Sequence, residues 1–229
     1  MSSDRAIGIF DSGIGGLTVF RALERLLPAE PLIYLGDTAR VPYGTKSEKT
    51  IQRYSRETIN FLLQREVKLI VVACNTASAL ALPTIQKEFS VPIVGVVEPG
   101  ARAAIAKTKN KRIGVIGTEG TIRSIAYPRI VEQLDPAVQV TSIACPLFVP
   151  FVEEGWLEGE AIHQVAIRYL APFQEKKIDT LILGCTHYPL LKKVIQVLMG
   201  SIALVDSAEA TAQAVQSILI QQKLVNLSG

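Results

Sequence analysis

Short apolar runs rich in β-branched residues alternate along this chain with longer amphipathic stretches, a rhythm that predicts a parallel sheet flanked by helices. The predicted strands fall into two series. Residues 7–10, 32–35, 69–73 and 93–97 make the first, and residues 113–116, 138–143, 180–183 and 202–205 make the second. The opening strand of each series is Ile-Gly-aliphatic, as Ile7-Gly8-Ile9 and Ile113-Gly114-Val115. The third strand of each ends in a cysteine followed by polar residues, Cys74-Asn75-Thr76 and Cys185-Thr186-His187. Helix-compatible stretches follow at 77–89 and 189–199, with Pro83 and Pro189 constraining their starts or bends.

The repeated order predicts two pseudo-symmetric parallel-sheet α/β domains facing each other across a cleft. Residues 1–98 plus 208–229 are expected to form the first domain and 99–207 the second, with the division near Pro99-Gly100. Ligands of open α/β sheets bind beyond the carboxyl ends of the strands, which is where both cysteines fall.

Composition narrows the class. Apolar residues make up 48% and charged residues 20%, enough for a large buried core and against disorder. The formal charge is only +3, and the densest basic run, Lys107-Thr108-Lys109-Asn110-Lys111-Arg112, has no interleaved aromatics; it is expected to be a solvated turn, with no nucleic-acid partner. Apolar runs are far shorter than the ~18–20 residues a bilayer requires, so no membrane association is expected. The N-terminal residues lack the pattern of a secretory signal, and three cysteines are too few and too odd for a disulfide framework; a reducing cytoplasm is the expected location.

In such a compartment a thiol is either packing or a reactive group. Recurrence at equivalent strand ends favours reactivity for Cys74 and Cys185, whereas Cys145, followed by Pro146 and without a counterpart, reads as packing. His187, two residues beyond Cys185, is placed to act as an acid/base or thiolate stabiliser, while His163 reads as surface. The turn Asp11-Ser12-Gly13-Ile14-Gly15-Gly16 partly imitates a dinucleotide fingerprint, but Thr18 stands at the third glycine position. The same glycines also suit a tight strand-to-helix turn. Asp11 would repel a pyrophosphate; it suits a role in poising a thiol or holding an ammonium group. Two acid/base groups on opposite faces of one substrate let a proton leave one side as another arrives from the other. A thiol, with a reference pKa near ~8.5, can serve in both roles. No lysine motif for pyridoxal phosphate accompanies these strands.

With these motifs the sequence resembles the glutamate racemases, within the aspartate/glutamate racemase superfamily, from Ile7 to about Val215. The resemblance rests jointly on the Asp11 to Thr18 turn, Gly36-Asp37, Pro42-Tyr43-Gly44, Ala73-Cys74-Asn75-Thr76-Ala77, Pro146-Leu147 through Glu153-Glu154-Gly155, Gly184-Cys185-Thr186-His187-Tyr188-Pro189 and Val205-Asp206-Ser207. It implies cofactor-independent conversion of L-glutamate to D-glutamate for peptidoglycan, Cys74 taking the proton from D-glutamate and Cys185 from L-glutamate. It further implies substrate contacts from Ser12, Tyr43, Gly44, Asn75, Thr76, Thr118, Thr121 and Thr186. Asp11, Asp37, Glu153 and His187 match polar residues that assist the thiols and the bound ammonium, and a homodimer is expected. Members commonly run some tens of residues longer, with a tail packed on the first half. Three other readings compete: a racemase of aspartate or a hydantoin, a Rossmann-type nucleotide-binding module, and a binding protein that kept the cleft without the chemistry.

Overall fold

The computed structural model describes residues 3–226. Among these residues eight strands form two parallel four-stranded sheets. The first contains β1 (Ile7–Asp11), β2 (Leu32–Gly36), β3 (Leu69–Val72) and β4 (Ile93–Gly95) in the order β2-β1-β3-β4. The second contains β5 (Arg112–Gly117), β6 (Gln139–Ala144), β7 (Thr180–Gly184) and β8 (Ala203–Asp206) in the order β6-β5-β7-β8. The two orders are the same, so both halves reverse direction of winding at the equivalent place, between their first and third strands. Loops leaving those two strands part at that point and open a crevice.

The helices are α1 (Leu17–Leu26), α2 (Glu48–Leu63), α3 (Asn75–Leu80), α4 (Leu82–Ile85), α5 (Val97–Lys107) and α6 (Glu119–Arg123), followed by α7 (Ala126–Leu134), α8 (Phe148–Glu153), α9 (Glu160–Lys176), α10 (Lys192–Met199) and α11 (Ser207–Gln221). They cover both faces of each sheet. Ile7, Ile9, Leu69 and Val71 point toward α1 and α11, while Phe10, Ile70 and Val72 point to the opposite core. Burial on both sides explains why these strands read as unbroken apolar runs instead of alternating ones. In α11 the buried positions Ala208, Thr211, Ala212, Val215 and Leu219 recur at three- and four-residue spacing, giving one face that packs against α1 and α5. Asp206 caps this helix by accepting from Ala208 N at 2.9 Å.

Some expected boundaries shift. The strand expected at 93–97 ends at Gly95, and Val97 begins α5. That helix runs straight through Pro99 and Gly100 and joins the last strand of the first sheet to the first strand of the second. The stretch expected as one helix over 77–89 is broken at Ala81, with Pro83 in the first turn of α4 where its missing N–H costs nothing. Residues 188–191 form a 3₁₀ turn before α10. The basic run forms a turn held by Asp179, which accepts from Thr108 Oγ1 at 2.6 Å and from the N–H groups of Lys109 and Asn110 at 2.6 and 2.8 Å. His163, read as surface, is half-buried on α9, and Cys145 is packed in the core of the second half.

Candidate active site

Both sheets present their carboxyl ends to one small cavity of about 30 Å³. Cys74 and Cys185 line it together, and both are free thiols. Cys74 stands two residues beyond β3 and caps α3: its Sγ accepts from Ala77 N at 3.5 Å, which fixes the thiol at the mouth of the helix. Cys185 stands directly after β7, with its carbonyl accepting from Tyr188 N at 3.2 Å to close the turn.

Each thiol has its own polar company. Burial, reinforced by the Asp11 carboxylate, pushes Cys74 up to about 12; the Ala77 N–H, the Ser12 hydroxyl and the Thr76 N–H work against that shift. Burial also pushes Cys185 up, opposed first by the His187 backbone N–H and reinforced by Cys74 and Asp11. His187 Nδ1 lies 3.8 Å from Cys185 Sγ, and its Nε2 lies 3.3 Å from Glu153 Oε1 on α8. That last pair is close enough for an ion pair but misaligned for a hydrogen bond, so Nε2 has no hydrogen-bond partner among the described residues. Cys185, His187 and Glu153 thus form a line from the cavity to half-exposed carboxylate.

Asp11 lies behind the cavity wall and is fully buried. Its Oδ2 accepts from Gly13 N at 3.2 Å and Gly16 N at 3.0 Å, and Thr186 Oγ1 donates to its Oδ1 at 3.5 Å. Burial raises its pKa, with His187 the largest opposing influence. Asp11 therefore acts electrically on both thiols and the histidine from behind the wall. The glycine-rich turn wraps this carboxylate with its own N–H groups. Those are the groups a phosphate would need, and this is a physical argument against the dinucleotide reading.

Asp37 has a different task. Tyr43 Oη donates to it at 2.5 Å, and Arg40 Nε reaches both of its oxygens at 3.0 and 2.7 Å. Arg40 in turn pairs with Glu57 and stacks 4.1 Å above the Tyr54 ring. Asp37 does not line the cavity; it anchors Tyr43, which does. Thr121 also sits one layer back, in a hydroxyl cluster that spans the two halves: Thr76 Oγ1 is 2.8 Å from Thr118 Oγ1 and 3.3 Å from Thr121 Oγ1. Ser12, Gly44, Asn75, Thr76, Thr118 and Thr186 reach the cavity wall itself.

Two glycines let the halves meet. A Cβ on Gly15 would come within 2.6 Å of Thr186 Oγ1 and 2.7 Å of His187 Nδ1; a Cβ on Gly44 would lie 2.7 Å from Thr118 Cβ. Beside the latter, Gly120 N donates to Gly44 O at 2.8 Å across the cleft. The remaining walls are apolar, from Val41, Pro42 and Val149. The sequence carries no site signal for these three, because an apolar side chain has no chemical mark, nor for Arg40 or Tyr127. Among the described residues no group of three His, Cys, Asp or Glu side chains is placed to hold a metal ion, and no helix is long and apolar enough to cross a membrane.

Two matched α/β sheets closing on a polar cavity with a thiol beyond each third strand define an isomerase of the racemase class. The chain belongs to the Asp/Glu/Hydantoin racemase family, whose sequence pattern matches residues 7–215. It is 58% identical over 216 residues to the glutamate racemase of Geobacter metallireducens, covering 94% of this chain and 80% of the relative. Among solved structures it is similar to glutamate racemase from Thermus thermophilus in complex with beta-chloro-D-alanine, at TM-score 0.91 and 48% identity, covering 100% of this chain and 86% of that one. Glutamate racemase from Francisella tularensis in complex with D-glutamate matches at TM-score 0.94 and 42% identity, over 99% of this chain and 85% of that one.

Proposed function

We propose that this protein interconverts L- and D-glutamate without a cofactor and so supplies D-glutamate for peptidoglycan synthesis. One observation carries the reading: two buried free thiols, each at the equivalent strand end of its own sheet, line a single cavity. With L-glutamate bound, the Cys185 thiolate takes the α-proton and the electron pair of the broken C–H bond stays on Cα. Cys74 then delivers its S–H proton to the opposite face, forming the new C–H bond and leaving its own sulfur as thiolate. From D-glutamate the two roles exchange.

Burial alone would keep both thiols protonated, so charge must shift when substrate arrives. The substrate ammonium, entering on the Glu153 side of the cavity with the Asp11 carboxylate behind the wall, brings a positive charge that lowers a neighbouring thiol, and His187 stands beside Cys185 to exchange a proton with it. Neutral hydroxyls of Ser12, Thr76, Thr118 and Thr186 and the Asn75 amide serve as carboxylate donors. Fixed donors in a dry cavity hold developing negative charge far better than water does. Tyr43 and Gly44 complete that wall, with Thr121 and Asp37 bracing it from behind.

A cavity of about 30 Å³ has room for about two waters, whereas ligand pockets are commonly ~300–1,000 Å³. The halves therefore open to admit substrate and reclose around it, as two domains comprising residues 1–98 plus 208–229 and 99–207. The same reading assigns the protein to the reducing cytoplasm, a setting that suits its three free thiols. That reading also takes the protein to be a homodimer, and sedimentation of the purified protein reads the stoichiometry. The decisive assay follows optical rotation of L-glutamate and L-aspartate with dialysed enzyme and no added cofactor. Loss of rotation with glutamate is expected, and turnover of aspartate alone would instead support an aspartate racemase.

A further inference from the structure

Tyr127, on α7 of the second half, is buried to 1% exposure, and its hydroxyl donates to Asn75 Oδ1 of the first half at 2.7 Å. The ring slots between two glycines: a Cβ on Gly184 would come 3.2 Å from its Cε2, and one on Gly100 would come 3.4 Å from its hydroxyl. Asn75 is 2% exposed and lines the cavity, yet its Nδ2 has no hydrogen-bond partner among the described residues. A buried amide donor left unmatched is costly, and natural proteins retain one where a ligand completes it.

We propose that Tyr127 is a positioning residue for the racemisation reaction: it pins the Asn75 amide oxygen so that Nδ2 faces the cavity as a donor reserved for a substrate carboxylate. An amide is nearly symmetric in shape, so packing alone does not decide which end faces the cavity. A hydroxyl donating to the oxygen does decide it. Because the tyrosine belongs to one half and the asparagine to the other, the donor is set only when the halves are closed. Closure and carboxylate recognition are thereby one event. Nearby, Thr76 and Thr118 add hydroxyls to the same wall, so the donor joins a neutral carboxylate cradle.

This inference rests on the proposed glutamate racemisation, and the wild-type assay separates the two: an inactive wild type refutes the function, whereas an active one exposes Tyr127 to its own test. Tyr127→Phe keeps the ring and loses the hydroxyl. It should raise KM for L-glutamate about tenfold, the loss of one net hydrogen bond, with kcat changed less. Asn75→Ala should lose more, and adding Tyr127→Phe to Asn75→Ala should change KM less than about twofold, because the tyrosine then has nothing to orient. Asn75→Asp keeps an acceptor for Tyr127 but turns an oxygen toward the cavity, and should raise KM at least as much as the alanine while the melting temperature holds. A purely structural tyrosine would lower the melting temperature and give losses that add across the double variant. Additive losses, a Tyr127→Phe enzyme with wild-type KM, or an Asn75→Asp enzyme with near wild-type KM would each overturn the proposal.

Discussion

Replacing Gly15 by alanine tests whether contact between the halves assembles the site. The added methyl would sit 2.6 Å from Thr186 Oγ1, 2.7 Å from His187 Nδ1 and 2.8 Å from His187 Cε1. Comfortable contacts between heavy atoms are about 3.5 Å, so the overlap approaches 1 Å on two side chains at once. Neither has room to yield, since Thr186 and His187 are buried and His187 is flanked by Cys185 and Glu153. Gly15 is not among the glycines with positive φ, so alanine fits the backbone and the penalty is steric only. Overpacking of this kind costs about 1–3 kcal/mol. Here the strain is relieved by parting the halves instead of unfolding either one, so the cost falls on the closed state. At 1.4 kcal/mol per factor of ten, kcat/KM should fall about five- to 150-fold. Gly13→Ala is the control: its Cβ meets only Val41 Cγ1, at 3.3 Å, and activity should stay within about threefold of wild type. Circular dichroism of glutamate, started from each enantiomer, gives both directions, and a thermal melt reports stability. A Gly15→Ala enzyme matching the Gly13→Ala control would refute the argument, as would a collapse in melting temperature that accounts for the whole loss.

In D₂O, early product from either enantiomer should carry solvent deuterium at Cα while unreacted substrate keeps its protium, and Cys74→Ser or Cys185→Ser should each slow racemisation by roughly 10²–10⁴; product retaining its original proton would point to a single base. Stability should decline in alkali: Cys74 titrates near its ordinary value when unfolded but at about 12 when folded, so the native state holds the proton more tightly and its advantage drains as pH rises from about 9 toward 12. Cys74→Ser should flatten part of that decline in melts taken between pH 8 and 11, and an unchanged slope would count against the shift. Lys68 and Glu30 form a buried pair at 2.5 Å beneath the first sheet, where Glu30 also accepts from Asn226 N at 2.8 Å. Lys68→Met should cost about 3–5 kcal/mol in urea unfolding by stranding the carboxylate, and adding Glu30→Leu should recover much of it; equal stability of both variants would show that the pair is not isolated from water.

The strands were legible in the sequence because burial on both faces leaves a local mark. Residues 69–72 and 181–183 read as apolar runs whatever lies around them. The paired thiols were legible for a related reason: a duplicated half repeats its chemistry at the same strand end, as Cys74 and Cys185 do. Helix breaks were less so. Whether 77–89 runs as one helix depends on how Leu82 and Ile85 find the core, and the break at Ala81 is decided by that packing. Only the tertiary structure sorted the polar residues into layers. Asp11 and Asp37 both end or follow a strand and look alike in sequence, yet one is sealed behind the thiols and the other is held by Arg40 and Tyr43. Tyr127 gave no signal at all, since on α7 it is simply one more residue of a buried face. Local sequence sets periodicity and strand ends, because those follow from the backbone and its nearest neighbours. Which side chains share a wall follows from how two sheets close on each other, and that is fixed by contacts such as Gly15 with Thr186 and Asn75 with Tyr127, more than 50 residues apart along the chain.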